Sequence, residues 1–189
     1  MLKFAEFSKD KKHRYYLSRK WSKDEQVLYI LLNPSKANHI NNDPTINRLI
    51  TISKNLGYGG FNVVNLYTLI TPIRNKLYER KRKTSAKNKK LIAELVAGHK
   101  TIIYGWGATE NEPKWLNNIV KSPLCFNINK NGTPKHPLYL KKESTLKKFR
   151  EPKKNYISSV FLSSTIMVAH EISINAEGNV GTKGSLILI

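Results

Sequence analysis

Cysteine, acidic residues and long apolar runs are all scarce in this chain of 189 residues, and each scarcity excludes a class of protein. Cys125 is the single cysteine, which excludes an internal disulfide and a cysteine-built metal site. No apolar run approaches the roughly 18 residues that a transmembrane helix needs, and the first residues do not form a signal peptide. We therefore expect a cytoplasmic protein without a membrane partner.

The shortage of acidic residues also limits the chemistry. Metal-dependent phosphodiesterases hold Mg²⁺ with two or more carboxylates, but only Asp43 of the three aspartates lies near a predicted strand end. Glu79 and Glu94 have no second acid at helical spacing. Neither a G-x-x-x-x-G-K-[ST] loop nor a G-x-G-x-x-G loop is present. We expect no metal and no cofactor, which disfavours a metal-dependent nuclease or a nucleotide-driven enzyme.

Basic residues are abundant: the chain has 33 Lys and Arg against 13 Asp and Glu, a net charge of +20. Residues 151–189 are neutral overall, so the whole excess belongs to residues 1–150. Such a surface attracts polyanions by counterion release, which predicts DNA, duplex or single-stranded, as the partner; solubility is the alternative interpretation. The candidate phosphate-binding residues are Arg74, Lys76, Arg80, Lys81, Arg82, Lys135 and Lys141.

The apolar pattern predicts strands alternating with helices. Strands are expected at 27–32, 61–66, 101–104 and 124–128. Helices are expected from the Asp43-Pro44 N-cap to Gly57, around 91–96 up to Gly98, and from Thr109 to Val120. This order predicts a three-layer α/β/α domain over 1–150, with a central, mostly parallel, four-stranded sheet.

The last segment, 151–189, differs from the rest because it is neutral and rich in short β-prone runs. We expect a β-rich extension that packs on the same domain or at a subunit interface. A monomer is the favoured oligomeric state.

Polar residues follow each predicted strand, where open α/β sheets bind their ligands. They are Asn33 and Ser35, Asn65 and Tyr67, Trp106, and His136, and Asp43 lies nearby. One carboxylate, two amides and one imidazole suit the cleavage of an N-glycosidic bond, whose transition state needs charge stabilisation more than a strong nucleophile. Each residue also has a structural alternative: Asp43 as a helix cap, Asn33 in a turn, Asn65 as a strand-end polar group and His136 as a loop residue.

The order of these motifs resembles a family of bacterial and phage proteins known only as a domain of unknown function. The motifs are R-Y-Y-L at 14–17, L-N-P-S at 32–35, N-D-P-T-I-N-R at 42–48, N-L at 65–66, G-W-G at 105–107 and H-P-L-Y-L at 136–140. That family is similar in turn to the uracil-DNA glycosylase superfamily. The segments I-Y-G-W-G-A at 103–108 and H-P-L at 136–138 resemble the L-W-G-x-x-A and H-P-S-P-L motifs of that superfamily.

The resemblance implies a uracil-DNA-glycosylase-like fold and a division of roles among the site residues. Asn33 would position the attacking water, Asn65 would bind the flipped base, and His136 would stabilise the leaving base. Uracil-specific enzymes have Asp where Asn33 stands, so water activation should be weaker here unless Asp43 contributes, and Asp43 is therefore counted with Asn33 and His136 as a candidate catalytic residue. They have a bulky Tyr where Ser35 stands, so a base with a 5-substituent should fit.

The leading hypothesis is therefore a monofunctional DNA glycosylase that excises a damaged or 5-modified pyrimidine, either uracil-like or a hydroxymethylated or glucosylated cytosine. Base flipping, repair and defence against phage are compatible with it. The alternative is a non-catalytic nucleic-acid-binding module that retains the same fold. That module would bind with a steep salt dependence, unchanged by Asn33→Ala or His136→Ala.

Overall fold

The computed structural model describes residues 1–72, 77, 84–141 and 144–151. In these residues, seven strands form one sheet with the order β1-β2-β4-β3-β5-β6-β7. The strands are β1 (Leu2–Phe7), β2 (Arg14–Lys20), β3 (Gln26–Leu31), β4 (Gly60–Asn65), β5 (Ile102–Tyr104), β6 (Leu124–Cys125) and β7 (Lys147–Lys148). The helices are α1 (Pro44–Asn55), α2 (Ala86–Ala97) and α3 (Lys114–Ile119), and Pro137–Tyr139 form a 3₁₀ turn.

The centre of the sheet is parallel and its edges are antiparallel. Strands β4, β3, β5 and β6 are neighbours and run parallel, as the alternation of strands and helices predicts. β2 pairs antiparallel with β4, β1 with β2, and β7 with β6. The α/β class is confirmed, but the prediction of a four-stranded sheet was wrong because it missed these three outer strands, β1, β2 and β7.

The helix caps follow local sequence. Asp43 caps α1 by accepting a hydrogen bond at Oδ1 from the backbone N–H of Ile46 at 2.9 Å, so the predicted cap is confirmed. Gly57 ends this segment with φ +81°, a value that favours glycine. Gly98 caps the C-terminus of α2.

The third helix begins later than predicted. It starts at Lys114, with Pro113 as its N-cap, instead of at Thr109. The preceding residues form a loop because Trp106 Nε1 donates to the backbone oxygen of Glu110 at 2.7 Å and Arg150 Nε donates to Glu112 Oε2 at 2.8 Å. These tertiary contacts outweigh the local preference for a helix start.

Helices cover both faces of the sheet. Alternate residues of β3 belong to two apolar clusters, one on each face. Val27, Tyr29 and Leu31 pack with Ile46 and Leu49 of α1. On the other face, Leu28, Ile30 and Leu32 pack with Ile92 of α2 and Leu116 of α3. The covered faces leave the carboxyl edge of the parallel strands as the place for a site.

Two predictions lie wholly or partly outside the described residues. The predicted C-terminal extension lies outside them from residue 152 onwards. Five of the seven candidate phosphate-binding residues, at 74, 76 and 80–82, also lie outside them. Within the described part of the chain, no helix is both long enough and apolar enough to cross a membrane.

Candidate functional site

The chain segments that follow β3 and β4 are hydrogen-bonded to each other at the carboxyl edge. The backbone N–H groups of Leu66 and Tyr67 donate to the oxygens of Leu31 and Leu32, both at 2.9 Å. Further out, the N–H of Thr71 donates to the oxygen of Pro34 at 3.1 Å. The two predicted site segments therefore lie side by side.

Asn33 connects these two segments through its side chain. It is half-buried, and its Nδ2 donates to the backbone oxygen of Thr71 at 2.8 Å and to that of Pro34 at 3.0 Å. These bonds engage both amide hydrogens and fix the orientation of the amide. Since no described residue donates to Oδ1, that oxygen remains as an acceptor for a water molecule or a ligand.

Asn65, the last residue of β4, carries a buried amide with one unpaired end. Only 1% of the residue is exposed. Its Oδ1 accepts from Arg14 Nη2 at 3.4 Å, whereas its Nδ2 is buried without a hydrogen-bond partner. Leaving a buried donor unpaired costs roughly 1–3 kcal/mol. Asn65 is thus a polar group whose donor is available to a ligand acceptor.

Three charged residues are buried next to these segments. Arg14 and Arg19, both on β2, are 3% and 0% exposed, and Asp43 is 9% exposed. Arg14 Nη1 donates to the oxygen of Ala37 at 2.8 Å, and Arg19 Nη2 donates to that of Asn38 at 2.6 Å, so both hold the loop that leads to α1.

The electrostatics of this group favour an added negative charge. Burial lowers the pKa of Arg14 to about 10, and the negative charge of Asp43 acts in the opposite direction. Burial likewise lowers the pKa of Arg19. Two buried cations with one buried carboxylate leave a net positive charge beneath the edge of the sheet.

His136 lies at the end of β5, on a loop seated against two glycines. The N–H of Gly107 donates to the oxygen of Pro134 at 2.9 Å. Pro137 packs closely on Gly105: a Cβ added at Gly105 would lie 3.1 Å from Pro137 Cδ. His136 Nδ1 accepts from the backbone N–H of Leu138 at 3.3 Å. A neutral His136 with this bond carries its proton on Nε2, which makes that atom a donor.

The sheet order sets the arrangement of these side chains along the edge. Asn65 ends β4, Asn33 follows the neighbouring strand β3, and His136 lies at the end of β5 on the other side of β3. Adjacent strands lie about 4.8 Å apart, so β4 and β5 are separated by about 10 Å. The described contacts join the segments of Asn33 and Asn65; none of them joins His136 directly to either.

The predicted base-contacting residues differ in their exposure. Ser35 and Tyr67 are half-buried. Trp106 is 1% exposed, and its ring packs against Tyr104 and Phe149 at centroid distances of 4.5 and 6.0 Å. The Trp106 ring is covered and its Nε1 is hydrogen-bonded within the protein, so Trp106 is a core residue. The expectation that it contacts the base was wrong.

The two described phosphate-binding candidates flank the His136 loop. Lys135 is half-buried, and its N–H donates to the oxygen of Asn127 at 2.8 Å. Lys141 is exposed and lines a cavity of about 260 Å³ beside α1, together with Arg48.

Arg14 is the site residue that the sequence did not assign. It was noticed only as the first residue of the R-Y-Y-L motif, because a single arginine in a strand gives no indication of burial. For metals, the described residues contain no cluster of three or more His, Cys, Asp or Glu side chains.

Comparison with known proteins places the chain in a family. No curated protein and no solved structure matches it. The profile of a family described as "Protein of unknown function (DUF1643)" matches residues 14–138, about two thirds of the chain, from Arg14 to the His136 loop. The chain belongs to the DUF1643 family.

Proposed function

We propose that the protein is a monofunctional DNA glycosylase that hydrolyses the N-glycosidic bond of a flipped, damaged or 5-modified pyrimidine and leaves an abasic site. The observation that carries this proposal is the buried, unpaired Nδ2 of Asn65 at the edge that also holds Asn33 and His136. The fold would be a variant of the uracil-DNA glycosylase fold in which edge strands enlarge the parallel centre.

The reaction is a displacement at the sugar carbon C1′. The bond between C1′ and the base nitrogen breaks with both electrons going to the base, and the sugar develops oxocarbenium character. Water then supplies a hydroxyl group to C1′, and its proton ends on the departed base. Asn33 Oδ1 accepts a hydrogen bond from this water and orients it. Asp43 supplies negative charge near the developing cation.

The leaving base accumulates negative charge and needs hydrogen-bond donors. Asn65 Nδ2 provides one, and His136 Nε2 provides another from the opposite side of β3. Donors that are fixed before the reaction stabilise developing charge more effectively than water does. One donor at the end of β4 and one on the loop beside the end of β5 would therefore hold the base from two directions.

The same residues bear on which base is accepted and on the DNA. The small side chain of Ser35 leaves room for a substituent at position 5 of a pyrimidine. The basic residues of 1–150 would bind the phosphates while the target nucleotide is extruded. We place this activity in the cytoplasm, in repair or in defence against phage DNA.

The proposal is tested by treating duplex and single-stranded DNA that carries defined modified pyrimidines with the protein, followed by alkali. Strand breaks at the modified position, which appear only after alkali, are the expected result. Asn65→Ala and His136→Ala should each slow the reaction by at least about 100-fold, because each removes a donor to the leaving base.

A matched control is Asn111→Ala, which removes an exposed loop amide and should leave the rate unchanged. EDTA should have no effect. Absence of alkali-dependent breaks across the whole panel of bases would contradict the proposal, and so would equal rates for the wild type and Asn65→Ala.

A further inference from the structure

Arg14 and Arg19 occupy similar positions but differ in how fully they are bonded. Arg19 donates to four acceptors, on Ser18, Asn38, Asn41 and Asn42. Arg14 donates to two within the described residues, the backbone oxygen of Ala37 and the side chain of Asn65. A guanidinium has five N–H donors. Arg19 is thus committed to holding a loop, whereas Arg14 keeps charge and hydrogen-bonding capacity beside Asn65.

The contact between Arg14 and Asn65 fixes which end of the amide is presented. A guanidinium can only donate, so the amide oxygen must face Arg14, and Nδ2 becomes the unpaired end. A cation that donates to an amide oxygen also polarises the amide and strengthens its N–H groups as donors. The unpaired Nδ2 is therefore a donor that Arg14 strengthens by polarising the amide.

We propose that Arg14 stabilises the departing base as an anion, acting through the side-chain amide of Asn65. This inference rests on the proposed function and deepens it: the ligand is a pyrimidine with a carbonyl oxygen that becomes negatively charged as the bond to sugar breaks. Arg14 is a positioning residue, since it touches Asn65 and not the base. The buried positive charge of Arg14 therefore stabilises the anionic base that bond cleavage produces more than it stabilises the neutral substrate.

Binding of a free base tests this inference without any catalysis. The probe is 5-fluorouracil, which ionises in mildly alkaline solution and is followed by its ¹⁹F resonance. We expect the wild type to bind the anion at least about tenfold more tightly than the neutral base, the effect of one charge roughly 10–12 Å away, beyond the intervening amide, at an effective dielectric constant of about 20. Equal binding of the two forms, or no binding of either, would overturn the inference.

Variants then locate the preference. Arg14→Gln should bind both forms equally, and Arg14→Lys should restore part of the preference because it keeps the charge. Arg19→Gln is the matched control: it removes a buried cation of the same strand that does not contact Asn65, so the preference should persist. A preference that survives in Arg14→Gln, or disappears equally in Arg19→Gln, would overturn the assignment to Arg14.

Kinetics on DNA separate this inference from the proposed function. Arg14→Gln should slow the release of uracil more than that of 5-fluorouracil, because the better leaving group needs less stabilisation. An equal loss for both bases would indicate a purely structural role and overturn the inference alone. If the wild type releases no base but its preference for the anion depends on Arg14, the inferred site stands and the glycosylase proposal fails.

Discussion

Asp43 shows how one side chain serves both the fold and the site. Its Oδ1 caps α1, and its charge acts on Arg14 and Arg19. The cap was predictable because Asp followed by Pro is a local signal. The two arginines were not, since they lie 24 and 29 residues earlier in the chain and strand pairing brings them close only in the folded sheet.

The charge of Asp43 can be separated from its capping function. Asn caps helices as well as Asp does, so Asp43→Asn keeps the cap and removes the charge. We expect this variant to lower the free energy of unfolding by about 1 kcal/mol or more at neutral pH, because two buried arginines lose their nearby carboxylate. Urea denaturation followed by circular dichroism measures the difference.

The N-cap of α2 provides the control for this prediction. Ser85 is exposed and caps α2 by accepting from the N–H of Asn88 at 3.2 Å. Ser85→Asn exchanges one good cap for another at a residue with no described contact to Arg14, Arg19 or Asp43, and it should change stability little. If Asp43→Asn is as stable as Ser85→Asn, the buried arginines do not depend on Asp43.

Trp106 marks the limit of prediction for single residues. A tryptophan after a strand fits a stacking surface and a core equally well, and only tertiary packing decides between them. The ring lies under the 107–113 loop and against Phe149, a residue 43 positions later in the chain. Asn33 and Asn65 were placed at this edge from the sequence because each follows or ends a strand, whereas His136 lies 11 residues after β6 and only the fold brings its loop to the end of β5.

At the scale of elements, the central strands were predictable and the edge strands were not. β3 and β4 are buried on both faces and read as continuous apolar runs. β1 and β2 mix exposed, half-buried and buried residues with charged side chains, and β7 has only two residues, both exposed lysines. β2 and β7 pair with partners that are distant in sequence, and β1 pairs with β2, so no local sequence pattern predicts these three strands.

The contact between the His136 loop and the end of β5 gives a test at this scale. In Gly105→Ala, the new Cβ would lie 3.1 Å from Leu31 Cδ2 and from Pro137 Cδ. We expect a loss of about 1 kcal/mol in the free energy of unfolding and slower base release, because the loop that carries His136 must move. Thermal melting and the alkali assay measure the two effects.

Gly98→Ala is the corresponding control. At this position the nearest atoms would be 3.7 and 3.8 Å from the new Cβ, and φ is −90°. Alanine fits there and reduces the freedom of the unfolded chain, so stability should stay equal or rise by up to about 1 kcal/mol. A Gly105→Ala protein that behaves like Gly98→Ala would show that close packing at Gly105 does not position the loop.

At the scale of the whole molecule, sheet topology and charge support the proposed function together. The parallel strands run in the order β4-β3-β5-β6, so the direction of chain progression reverses between β3 and β5. Ligands bind at such a switch point in doubly wound sheets, and Asn33 and Gly105 lie there. The entire net charge of +20 belongs to residues 1–150, which contain this edge.

The most direct test of the central claim is mass spectrometry of the free bases released from a library of DNAs with different modified pyrimidines. We expect the wild type to release one class of free base, with an equal number of abasic sites, and Asn65→Ala to release far less. If the wild type binds DNA tightly but releases no base, that result would contradict glycosylase activity. It would instead indicate a protein that only binds nucleic acid.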